Sequence, residues 1–206
     1  MSRKDLILLV SLFLLSFLFV TACDNQAKAQ EYVNQADKYR SSGKLDDAIS
    51  LYKKALNIKE DTSVRDKLDD TKKEKETVKQ VTEVLKDFKE VKEYYLQDNS
   101  DYSSPTTIKE AVDKLRPAVD KIEAIDDTQD TDISKFVSKL RDDSNYKQVK
   151  IFLDSNASDD SQTMNDLGLF DSGIQTVNEL GSQIFQYFGE YIKQIADMKI
   201  PSKYNK

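Results

Sequence analysis

The sequence predicts an all-α protein, and three observations carry that prediction. Glycine is scarce, with 5 in 206 residues and only Gly43 ahead of Gly168, and there are 3 prolines, so hairpin turns and phosphate cradles have almost no signal. Charged residues make up 33% of the chain and aromatic residues 9%, the balance of amphipathic helices around a modest core. Apolar positions recur at three and four residues, as in Val78, Val81, Leu85, Phe88, Val91 and Tyr95. The architecture expected is a helical hairpin, then a long helix, then a C-terminal antiparallel helical bundle. A chain of this length forms one domain or two small ones.

The first element is not folded-domain sequence. Arg3 and Lys4 precede an apolar run from Leu6 to Ala22, interrupted only by Ser11, Ser16 and Thr21, the build of a secretory signal. As a helix the run reaches about 26 Å, short of a bilayer's roughly 30 Å hydrocarbon core, so a cleaved leader over residues 1–22 fits better than a permanent span. The run ends in Val20-Thr21-Ala22-Cys23, with the chain's single cysteine last. This segment resembles the lipobox of bacterial lipoproteins, with Val for the commoner Leu and Thr for the commoner Ala or Ser. The resemblance implies that Cys23 receives a diacylglyceryl group and becomes the mature N-terminus. Two acyl chains anchor a protein stably where one binds only marginally. The positive flank keeps the leader's start in the cytoplasm, so the mature chain is expected on the outer face of the cytoplasmic membrane. Asp24 after the lipidated position implies inner-membrane retention in a Gram-negative cell. The excess of Lys over Arg and the frequent Asn favour an AT-rich, Gram-positive genome by association alone.

The second element, within residues 23–62, is a short helical pair, 27–42 and 46–58, joined at Gly43. Small residues at Ala36, Ala48 and Ala55 allow two helices to approach closely, Tyr39 and Tyr52 fill between them, and Gly43 can take the positive φ that ends a helix. With Tyr32 at the first aromatic position and Gly43-Lys44-Leu45-Asp46-Asp47-Ala48 at the turn, residues 29–62 resemble a single tetratricopeptide repeat. Gln35 departs from the family's Leu, and Glu60 stands where Pro often ends the repeat. The resemblance implies docking of a peptide or helix, with Tyr32, Tyr39, Ala48 and Tyr52 as partner-binding candidates; a stable helical pair with no docking role is the competing reading. One repeat cannot bury both faces, so the helix from about Val64 is expected to cap it.

Residues 63–206 form the expected bundle domain. Val64 to Tyr95 reads as one long helix or two, with the charged stretch Lys72 to Thr77 as a solvated turn and candidate hinge. Polar Gln97 to Pro105 stops it, and Thr107 with Glu110 forms a capping box for the next helix. That helix is marked by Ile108, Ala111, Val112, Leu115, Val119, Ile122 and Ile125, with Pro117 inside it and a kink expected near Asp113 to Pro117. Asp126 to Asp132 is an acidic loop. A weaker helix holds Ile133, Phe136, Val137, Leu140, Val149 and Phe152, with a break at Asp142 to Asn145. Ser155 to Asn165 reads as disordered. The clearest helix carries Ile174, Val177, Leu180, Ile184, Phe188, Tyr191, Ile195 and Met198 and stops near Pro201. Its i, i+4 ridge of Val177, Gly181, Phe185 and Gly189 suits close packing against another helix.

Composition narrows the chemistry. The formal charge is −6, and after loss of residues 1–22 the mature chain holds 29 basic and 36 acidic side chains, with nothing basic between Lys150 and Lys193. That sign disfavours nucleic acid and anionic headgroups as targets of the whole surface. The absence of histidine removes imidazole triads and the commonest zinc ligand, so no enzyme, cofactor or metal is expected. Asp154, Asn156, Ser158, Asp159 and Asp160 suggest a calcium loop, but Asp159 occupies its glycine position and Asn165 its final Glu. Ser41/Lys44 and Ser50/Lys53 have Ser-x-x-Lys spacing without the strand that lines such sites. The function expected is a membrane-anchored, extracytoplasmic docking or scaffold module that binds another cell-envelope protein. The alternative is a bundle that binds a small ligand or lipid around Phe185, Tyr187, Phe188 and Tyr191. Partner and oligomeric state are not written in the sequence.

Overall fold

A computed structural model describes residues 25–95, 105–154 and 177–205, and side chains within 25–93, 112–154 and 187–205. Every long element among them is a helix, and none is a strand: α1 over 25–41, α2 Leu45–Ile58, α3 Thr62–Tyr95, α4 Pro105–Ala124, α5 Asp132–Asp142, α6 Ser144–Asp154, α7 Val177–Ala196 and a 3-10 turn at Ser202–Tyr204. The fold is all-α, as the periodicity predicts. The leader, Cys23, the stop at 97–104 and the 155–165 stretch lie outside the described residues.

The chain divides into two compact units, Met1–Lys75 and Glu76–Lys206. The boundary falls inside α3, not at the end of the hairpin near residue 62, because Val64 and Leu68 bury themselves in the hairpin's core. In the first unit α1 and α2 run antiparallel and α3 runs parallel to α1. Gly43 makes the turn with φ of 77°, a left-handed conformation that costs a residue with a Cβ about 1 kcal/mol. Ala36, Ala48 and Ala55 are at most 1% exposed and set the close approach. Asp61 starts α3 by accepting from the Ser63 amide at 2.9 Å, so the helix's orphan donors are met by a side chain.

Lys72 to Thr77 is continuous helix, not a solvated turn. Glu74 is buried there, as is Thr71 just before it, and Glu74 accepts from Arg40 Nε at 2.8 Å. A charge-rich stretch thus hides one carboxylate that sits on the core-facing stripe.

In the second unit one apolar core gathers Val81, Phe88, Val91, Leu115, Ile122, Ile133, Leu140, Phe152, Phe188, Ile192 and Ile195 from α3 to α7. Helix α4 begins at Pro105, which suits a helix's first turn, so Thr107 lies inside the helix and not at its cap. Pro117 sits within α4 on the exposed face, where water can reach the carbonyl it leaves without an amide. The break expected near Asp142 is real: Asp143 is extended, with ψ of 133°, and caps α6 by accepting from the Asn145 amide at 2.8 Å. Thr131 caps α5 by accepting from the Ser134 amide. The α6 and α7 helices pack together, with Phe152 stacked on Phe188 at 4.0 Å and Gly189 buried.

Candidate functional site

Helix α1 of the first unit has three distinct sides. Ala29, Val33 and Ala36 face the core. On one flank Asp37 and Arg40 face α3, where Lys67 Nζ donates to Asp37 Oδ2 at 2.7 Å and Arg40 donates to Glu74. On the other flank Tyr32, Gln35 and Tyr39 follow one another at helical spacing. Tyr39 is 36% exposed, and Tyr32 and Gln35 are half-buried.

That second flank is the candidate docking edge. Lys54 of α2 places its ammonium 5.9 Å from the Tyr32 ring centre, and Lys44 places its own 5.5 Å from that of Tyr39. Each pairing is a cation over an aromatic face at partly exposed geometry, worth about 0.5–1 kcal/mol. The result is a ribbon of rigid amphipathic rings flanked by cations. Gln35 replaces the apolar residue a buried edge would need and bonds Glu31 at 3.1 Å.

The four sequence-derived docking residues separate into two pairs. Tyr32 and Tyr39 reach the surface. Ala48 and Tyr52 are 0% exposed, so they shape the hairpin from inside and cannot touch a partner. Spacing alone places all four on the hairpin; only the packing of α3 decides which are covered. The Tyr52 hydroxyl donates to Asp37, and burial, then that hydrogen bond, then the carboxylate's charge push the phenol well above its usual range. Burial works to raise the Asp37 carboxyl, but hydrogen bonds from Lys67 and Tyr52 outweigh it and hold the group below its ordinary value.

Sequence reasoning missed the polar residues that brace each unit internally. Arg40 follows Ala36 by four residues, at the edge of the core stripe, which is the signal that could have marked it. In the second unit Arg141 clasps the end of α4, donating to the carbonyls of Ile122 and Ile125, each at 2.6 Å, while also meeting Asp127 at 3.0 Å. Tyr146 donates to Glu123 at 3.0 Å, and Lys150 reaches the same carboxylate at 2.8 Å.

The other sequence candidates find less support. In the aromatic segment of α7, Phe188 is 1% exposed and committed to its stack with Phe152, Tyr191 is half-buried against the core, and Tyr187 is 49% exposed; the Phe185 side chain lies outside the described residues. In the acidic loop, the Ser138 hydroxyl and then the Arg141 charge hold Asp127 below the usual carboxylate range. Among the described residues no group of three or more His, Cys, Asp or Glu could hold a metal ion, and no helix is long and apolar enough to cross a membrane. No protein-family model matches the chain, and neither curated proteins nor solved structures include one significantly similar to it.

Proposed function

We propose that the protein is a lipid-anchored docking module of the bacterial cell envelope, held through a diacylglyceryl group on Cys23 at the outer face of the cytoplasmic membrane. A tetratricopeptide-like hairpin capped by α3 binds another envelope protein along the Tyr32–Tyr39 edge of α1. The observation that carries the docking half is the exposed Tyr39 ring beside Lys44, on a flank where Tyr32 and Lys54 repeat the same pairing. Rigid aromatic rings with cations at their faces supply contact area at small entropic cost, which is why such residues dominate binding hot spots. Support for the hairpin comes from the left-handed Gly43 and the buried Ala36, Ala48 and Ala55. The anchor rests on the sequence of residues 1–23.

Crosslinking in intact cells, read by mass spectrometry, tests the docking. Tyr39→Ala should lose a reproducible protein partner that Tyr187→Ala, altering an exposed tyrosine of the other unit, retains. Unchanged partners in Tyr39→Ala would overturn the docking edge. Labelled palmitate should enter the wild type and not Cys23→Ala; equal labelling would remove the anchor.

A further inference from the structure

The tether between the proposed anchor and the folded chain is very short. Helix α1 is in place by Asn25, two residues after Cys23, and two residues can reach at most about 7 Å whatever their conformation. We infer that the lipid surface meets one particular end of the three-helix unit, the end carrying Asn25 and the α2–α3 turn over 58–61, so that the docking edge runs outward from the bilayer. The inference rests on the lipid-anchor reading and adds to it an orientation and a second contact surface.

Side-chain pairings fix which groups share that end. Tyr32 meets Lys54 and Tyr39 meets Lys44, so the start of α1 lies level with the end of α2. Asp37 meets Lys67 and Arg40 meets Glu74, so α3 also starts at that end. Its chemistry tolerates phosphate headgroups. The carboxylate of Glu60 is paired with Arg65 at 2.6 Å, and Asp61 accepts from the Ser63 amide and hydroxyl, while Lys28 and Lys59 are exposed. Two carboxylates that would otherwise repel anionic lipid are thus engaged.

The opposite orientation, with α1 lying flat, has little to hold it. The outward side of α1 carries Glu31, Asn34 and Lys38, all exposed and polar, and among the described residues of this unit Tyr39 is the large apolar side chain with substantial exposure. Surface helices bind a bilayer in proportion to the apolar area they can insert, and one tyrosine inserts little. At 1.5 Å per residue, Tyr39 stands about 21 Å and Ser41 about 24 Å along α1 from Asn25. The docking edge is therefore carried clear of the headgroups toward whatever stands on the membrane's outer side.

The chain has no tryptophan and a single cysteine, so single-tryptophan variants report one position each. Lys59→Trp and Ser41→Trp in the full-length protein, isolated from membranes of the producing cells, are placed in phosphatidylcholine vesicles containing a nitroxide-headgroup lipid. Quenching should be about threefold greater or more at Lys59→Trp, since Lys59 shares the end that carries Asn25 and Ser41 stands roughly 24 Å along α1 from it. Equal quenching, or stronger quenching at Ser41→Trp, would overturn the orientation. The mass of the N-terminal peptide reports separately whether Cys23 carries the glyceride. Should it not, the mature chain from Cys23 is coupled through that thiol to a maleimide lipid and the same two variants are compared. The orientation then stands or falls by the same ratio, although the natural anchor has failed.

Discussion

The Arg40–Glu74 pair offers the sharpest quantitative test of the first unit. Glu74 is 2% exposed and the Arg40 side chain 24%, with the two atoms 2.8 Å apart. Unit charges about 4 Å apart at an effective dielectric of 20 attract by about 4 kcal/mol, against several kcal/mol of desolvation per buried ion. The net value of the pair is therefore small, while the cost of breaking it depends on which partner stays. Arg40→Met leaves a nearly inaccessible carboxylate without its guanidinium and should cost about 3–4 kcal/mol. Glu74→Leu leaves an arginine that still reaches water and should cost about half as much, roughly 1–2 kcal/mol. The double replacement should return to within about 1 kcal/mol of the wild type, as apolar substitutes of similar volume often do for a buried pair. Hydrogen exchange of the amides between Ala48 and Ala55 reads the first unit alone, which matters because two units need not unfold together. Two single substitutions each costing under about 0.5 kcal/mol would mean the pair behaves as a surface ion pair, and the reasoning from its burial would be wrong.

The remaining polar contacts supply two more tests. The Asp37 carboxyl is depressed in the folded state below its ordinary value of 3.8, because hydrogen bonds from Lys67 and Tyr52 override the opposing effect of burial. Its stabilisation is present above the unfolded value and lost as pH falls through the folded one, so below about pH 4 the first unit should weaken more steeply in the wild type than in Asp37→Asn; parallel acid titrations by hydrogen exchange would refute this. Arg141→Ala should cost about 3 kcal/mol and speed exchange of the amides over 119–128, and Arg141→Lys should recover less than half, since one ammonium cannot fork across two carbonyls. Full recovery with lysine would show that charge alone matters there.

The helices were legible because their information is local. Periodic apolar residues place α3 to α7, Gly43 marks the hairpin turn through its backbone freedom, and Asp142 to Asn145 marks the α5–α6 break because Asp143 can cap the start of α6. The features that stayed hidden depend on distant partners. Glu74 looks like one more charge in Lys72 to Thr77 until Arg40, a full hairpin away in sequence, is seen to meet it. Likewise Ala48 and Tyr52 share the hairpin with Tyr32 and Tyr39, and only the burial of Val64 and Leu68 against them separates interior from edge. The capping box at Thr107 failed for a different reason: Pro105 is itself a good opening residue, so the helix starts earlier.

The clasp of Arg141 on Ile122 and Ile125 has a consequence for the order in which the chain acquires structure. Most helices stop by rules written within a few residues of their ends, often with glycine. Here the Ile125 amide reaches the Ile122 carbonyl, and a side chain 19 positions downstream of Ile122 donates to that carbonyl and to that of Ile125. On a ribosome, those two carbonyls gain the guanidinium only after α5 has emerged, since Arg141 belongs to α5. The same side chain meets Asp127 in the acidic loop, so one residue ties α4, the loop and α5 together, and its contribution to stability belongs to all three at once.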